Sequence, residues 1–96
     1  MIRRVVRLKL NEGVGADEVL TKTYDVLPKV KGVQSCRVGV PEHVGDEGDY
    51  DVVFFVDFQR MEDVKAYVDD PVHRDYVENF LNPRVALKDV VNVRIW

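Results

Sequence analysis

Residues 50–58, YDVVFFVDF, constrain this chain more than any other stretch. In a β-strand successive side chains point to opposite faces of the sheet. Tyr50, Val52, Phe54, Val56 and Phe58 then share one face, and Asp51, Val53, Phe55 and Asp57 share the other. The second face is polar only at its ends. A strand with one wet face alternates throughout its length, but here Val53 and Phe55 make both centres apolar. The middle of this sheet therefore needs two covers, and one layer of helices supplies only one of them.

The rest of the chain fills in the layers. MIRRVVRLKL, residues 1–10, reads as a strand with Ile2, Arg4, Val6, Leu8 and Leu10 on one face and Arg3, Val5, Arg7 and Lys9 on the other. After the turn NEGVG, the residues Ala16, Val19, Leu20, Thr23, Leu27 and Val30 recur at helical spacing, with Asp17 and Glu18 where the helix dipole favours acids. Pro28 should end or kink that helix, and Gly32 should release the chain. VQSCRVGV is a second strand, and PEHVGDEGD a polar turn-rich loop. A second helix is expected over about 61–69, with Val64, Tyr67 and Val68 as its apolar stripe. Asp70-Pro71 is a restart signal, Asp as N-cap and Pro at the first helical position. The third helix carries Val72, His73, Tyr76, Val77, Phe80 and Leu81 until Pro83, and ALKDVVNVRIW is the last strand.

That order, β-α-β-β-α-(α)-β, is the split βαβ of ferredoxin-like α+β folds, a four-stranded antiparallel sheet with helices on one face. The open face is available to a partner, and the simplest partner is a second copy of the chain. No linker divides residues 1–96, so one domain is expected. A domain of that size often completes its core by oligomerising.

Several classes are disfavoured. With a net charge of −3 and no basic stripe, the chain is not suited to nucleic acid. Its longest apolar run, 52–56, is far too short to cross a membrane. The single Cys36 rules out an internal disulfide and any cysteine-based zinc site, and reads as a small buried hydrophobe. With no signal peptide, a cytoplasmic location is expected. His43 lies among acids, but that loop lacks the ligand spacing of a calcium site and reads as a solvated turn. No phosphate loop or nucleophile elbow is present, and neither metal nor cofactor is expected.

The start MIRRVVRLKL, the LPKVKGV that closes the first helix, the run DYDVVFFVDFQRMEDVKAYVDDPVHRDYV and the closing VVNVRIW together resemble the stress-responsive A/B barrel (dimeric α+β barrel) family over nearly the whole chain. The most specific piece is Y-x-x-x-P-x-H, formed by Tyr67, Pro71 and His73. The resemblance implies a homodimeric barrel of two four-stranded sheets with helices outside, which would supply the second cover that Val53 and Phe55 need. One plant branch, the olivetolic acid cyclases, closes a linear polyketide by intramolecular aldol condensation in a pocket between helices and sheet. That branch has a Tyr and a His at the positions of Tyr67 and His73. It also has His where this chain has Arg4 and Val52.

His73, Tyr67 and Arg4 are thus the candidate site residues. Imidazole is a natural general base, and a tyrosine hydroxyl can hydrogen-bond a ligand carbonyl or an enolate. Both could equally be core side chains with satisfied polar tips. Arg4 stands on an apolar row, and a guanidinium cannot shed its charge there. It either reaches water and pairs with Asp69 or Asp70, or lines a pocket and binds an anionic or phenolic ligand. The first functional reading is a small-molecule pocket protein, a cofactor-free cyclase-like lyase with His73 as base. The alternative is a non-catalytic stress or ligand-binding protein, and a third reading is a cofactor-free monooxygenase. Trp96 is expected at the dimer seam.

Overall fold

The computed structural model describes residues 1–42 and 50–96. His43, Asp46, Glu47 and Asp49 lie outside the described residues, and with them the reading of that loop as a solvated turn. Strand β1 (Ile2–Leu10) is central, pairing antiparallel with β3 (Val52–Phe58) on one side and with β4 (Val85–Arg94) on the other. Strand β2 (Ser35–Gly39) pairs with β3, so the sheet order is β2-β3-β1-β4. This is the ferredoxin-like α+β topology that the element order predicts.

The register turns the alternation into two layers. Val6 lies opposite Phe54, and Leu8 opposite Val52, with all four at most 6% exposed. Helix α1 (Ala16–Val26) covers this face with Val19, and the 3₁₀ turn Leu27–Lys29, started by Pro28, adds Leu27. Gly32 then reverses the chain at φ +92°, a conformation only glycine adopts without strain. Helix α2 (Met61–Asp69) contributes Val64 and Tyr67. The Asp70 carboxylate caps α3 (Pro71–Asp75), accepting from the Val72 N–H at 2.8 Å, and Pro71 occupies the first turn as expected.

Two details depart from a uniform 3.6-residue period. Residues Tyr76–Leu81 form a π-helical turn continuous with α3, which turns Tyr76 and Leu81 into the core. Val68 and Val72, placed on apolar stripes by periodicity, are 40% and 52% exposed, and Val68 borders an open cavity. The buried joint between helices is polar. Thr23 of α1 meets Tyr76 oxygen to oxygen at 2.6 Å.

The opposite face of the sheet carries Val5, Val53, Phe55, Leu87, Val91 and Val93, all half-buried or exposed in the single chain. Ion pairs rim it. Arg3 holds Asp57 bidentately at 2.8 and 3.0 Å, Ser35 adds a bond at 2.8 Å, and Arg7 pairs with Asp89. The Arg3 hydrogen bonds keep the Asp57 carboxyl below its usual range. Trp96 is fully exposed on the single chain.

Candidate functional site

The helices do not reach across β4. On its helix-facing side Lys88, Val90 and Asn92 stay exposed, and the gap between them and α2–α3 is an open cavity of about 270 Å³. Arg4 from β1, Tyr67 from α2 and His73 from α3 all line it. Three residues up to 69 positions apart are thus gathered at one place. Its floor is apolar, formed by Val6, Phe54 and Val90.

Arg4 enters the cavity because the pleat puts it on the helix-facing row and the helices stop short above it. Its Nη1 donates to Asn92 Oδ1 at 3.1 Å. Pairing with Asp69 or Asp70 is not what the structure shows. Among the described residues no carboxylate lies within ion-pair distance of Arg4. Burial lowers its pKa from the ordinary guanidinium value, yet a guanidinium stays cationic at neutral pH.

Tyr67 is 2% exposed, with its ring edge-on to Phe58 at 4.9 Å and tilted against His73 at 4.1 Å. Its hydroxyl has no hydrogen-bond partner among the described residues and is not sealed from solvent, so it opens on the cavity. Burial drives its pKa far above the ordinary 10.0 despite the nearby Arg4 charge. It therefore remains a phenol, a donor.

His73 is half-buried beneath that ring. Nδ1 lies 3.4 Å from the Val68 carbonyl oxygen. A carbonyl can only accept, so Nδ1 carries the proton and the Nε2 lone pair is left over. Burial lowers the pKa of His73 from 6.5, the Val68 bond raises it, Arg4 and Lys88 lower it, and Asp70 raises it. The net shift is downward, so the imidazole is neutral at pH 7. It is also the only histidine among the described residues.

Tyr76, on the stripe that periodicity placed inward, also lines the cavity, as does Lys88, which the sequence reading did not single out. Lys88 was legible as the third member of the row Lys88, Val90, Asn92. The π turn at Tyr76–Leu81 left no comparable mark. Arg4, Lys88 and Arg74 against Glu78 give the lining an excess of positive charge. Among the described residues no group of three His, Cys, Asp or Glu is placed to hold a metal ion, and no helix is long and apolar enough to cross a membrane.

A ferredoxin-like α+β sheet with an open cavity between its helices and an edge strand defines the class. The model of the stress responsive A/B barrel domain matches residues 2–92, and the chain belongs to that family. A comparison with curated proteins returns no match. Among solved structures, a ferredoxin-like family member from Mesorhizobium loti superposes with TM-score 0.86 at 19% identity, covering 99% of this chain and 96% of that one. A dimeric ferredoxin-like protein of unknown function from Thermobifida fusca gives 0.82 at 21% identity, covering 98% and 90%. The hydroxynitrile lyase of Passiflora edulis gives 0.84 at 13% identity, covering 98% and 92%. At these identities the likeness is one of fold.

Proposed function

We propose that this protein binds a small carbonyl compound in the Arg4–Tyr67–His73 cavity and acts on it as a cofactor-free, cyclase-like lyase. The observation that carries this reading is the convergence of a neutral imidazole with a spare Nε2 lone pair and an unsatisfied phenol on one open cavity. His73 removes a proton from a carbon flanked by carbonyls, where acidity comes closest to what imidazole can match. The Tyr67 hydroxyl hydrogen-bonds the enolate oxygen as charge develops there. The enolate carbon then attacks a second carbonyl of the same molecule, forming a carbon–carbon bond, and the resulting alkoxide takes the proton back from His73. With Arg4 and Val52 where the cyclase branch has histidines, His73 is left to both take and return that proton.

The working unit in this reading is a homodimer. Its support is the uncovered apolar face around Val53 and Phe55 and the dimeric state of the Thermobifida fusca protein.

The test is deuterium uptake from D₂O into the methylene of ethyl 3-oxobutanoate, followed by NMR. Wild type should exceed the buffer background. His73→Gln should lose about a hundredfold or more of that excess, and Tyr67→Phe should lose part of it, with both variants folded. Uptake at background, or uptake unchanged in His73→Gln, overturns the catalytic reading. Ligand binding without uptake would establish the non-catalytic alternative.

A further inference from the structure

Strand β1 carries four cations, and the register gives three of them an acid. Arg3 stands opposite Asp57 and binds it, Arg7 stands opposite Asp89 and binds it, and Lys9 reaches Asp51 at 3.8 Å. Arg4, the one that faces the cavity, stands opposite Val56 and Asn92. An asparagine oxygen anchors one guanidinium N–H and fixes the plane of the fork, but it leaves the charge unneutralised. Four of the five N–H donors remain. Taking a guanidinium partly out of water with no counter-ion is unfavourable unless something else supplies the negative charge.

From this we infer that the ligand of the cavity carries a carboxylate that Arg4 holds through its fork, with Lys88 adding a second positive charge from β4. The inference rests on the cavity being a ligand site, as proposed above, and adds the chemical class of what it takes. A planar carboxylate matches a single guanidinium bidentately. The apolar floor of Val6, Phe54 and Val90 suits a hydrocarbon or aromatic body beyond that group. At about 270 Å³ the cavity lies at the small end of ligand pockets, which fits a monocyclic or short-chain acid. Among the described residues Glu78 is the one acid on the lining, and it disfavours a second anionic group on its side.

The probes are phenylacetate and phenylacetamide, titrated at one ionic strength against ¹⁵N-labelled protein. The acid should shift the resonances of residues around Arg4, Tyr67 and His73, and the amide should bind about tenfold more weakly or worse. Arg4→Leu should weaken the acid about tenfold and leave the amide within about twofold, and Lys88→Gln should weaken the acid a few-fold. Equal affinity for acid and amide in wild type overturns the inference, as does full acid affinity in a folded Arg4→Leu. If Arg4→Leu does not fold, the wild-type contrast and Lys88→Gln decide. His73→Gln separates the two proposals. Acid binding retained there, alongside absent deuterium uptake in wild type, sinks the catalytic reading alone, whereas uptake on the neutral ester without acid preference sinks the carboxylate alone.

Discussion

Replacing Thr23 with Val should destabilise the protein through its buried hydrogen bond with Tyr76, and the direction of that bond follows from proton count. The Thr23 hydroxyl lies 2.7 Å from the Val19 carbonyl and 2.6 Å from the Tyr76 hydroxyl. Its one proton must go to the carbonyl, which can only accept, so the Tyr76 O–H donates to Thr23. Burial pushes Tyr76 up to about 12, so it stays protonated across the working range. Thr23 is 0% exposed and Tyr76 2%. Valine keeps the shape and similar helix propensity, but it strands the Tyr76 hydroxyl in a place that water does not reach. Leaving a buried donor unsatisfied costs about 1–3 kcal/mol. Tyr76→Phe removes the donor instead and leaves Thr23 bonded to Val19, which should cost only about 0.5–1.5 kcal/mol. The double variant strands nothing, so it should be more stable than the sum of the singles implies, with a coupling of about 1–2 kcal/mol. Urea unfolding at one fixed protein concentration measures all four corners of the cycle, since association would otherwise shift the midpoints. A loss of about 2 kcal/mol corresponds to a fall in Tm of roughly 8–16 °C for a domain of this size. A neutral Thr23→Val, or strictly additive singles, would refute the assigned direction of the bond.

The remaining predictions concern the open face and the base. Phe55→Glu should convert a dimer into monomer or unfolded chain by placing a carboxylate in the apolar centre of that face; sedimentation equilibrium showing an unchanged assembly would remove the second copy from that surface. His73 should titrate below 6.5 by NMR, and Arg4→Leu should raise its midpoint by removing a neighbouring positive charge. Because its folded-state pKa is depressed, its contribution to stability is present in full above about pH 6.5. That contribution is lost as pH falls toward the folded-state value, so wild type should lose stability relative to His73→Gln on acidification. A flat difference between the two across pH 7 to 5 would contradict the shift.

Local rules made much of the fold legible. Alternation alone assigned the two faces of β1 and β3, and Asp70-Pro71 marked the break between α2 and α3. The pocket was legible only in part. Arg4 announced itself as a charge on an apolar row, but what it touches is decided by Asn92, 88 residues along the chain, and no local pattern encodes that register. Val68 and Val72 stay exposed although they sit on apolar stripes, because a period gives the angle around a helix axis and not how far the neighbouring sheet extends beneath it. The π turn at Tyr76–Leu81 escaped for a related reason. One extra residue per turn is a tertiary accommodation, and each residue in it is unremarkable for an α-helix.

The pairing of β1 with β4 has a bearing on when the pocket comes into being. Ile2 lies across from Arg94, so the first strand of this sheet in chain order is completed by the fourth. As the chain leaves the ribosome, β1 can find β3 once residue 58 has emerged, but the wall carrying Lys88 and Val90 and the Asn92 that fixes Arg4 come some thirty residues later. Contacts this distant in sequence form slowly and late. A nascent or C-terminally clipped chain would thus expose an unpaired β1 edge and an unanchored guanidinium. Such a chain can hold its helices while lacking the cavity wall altogether.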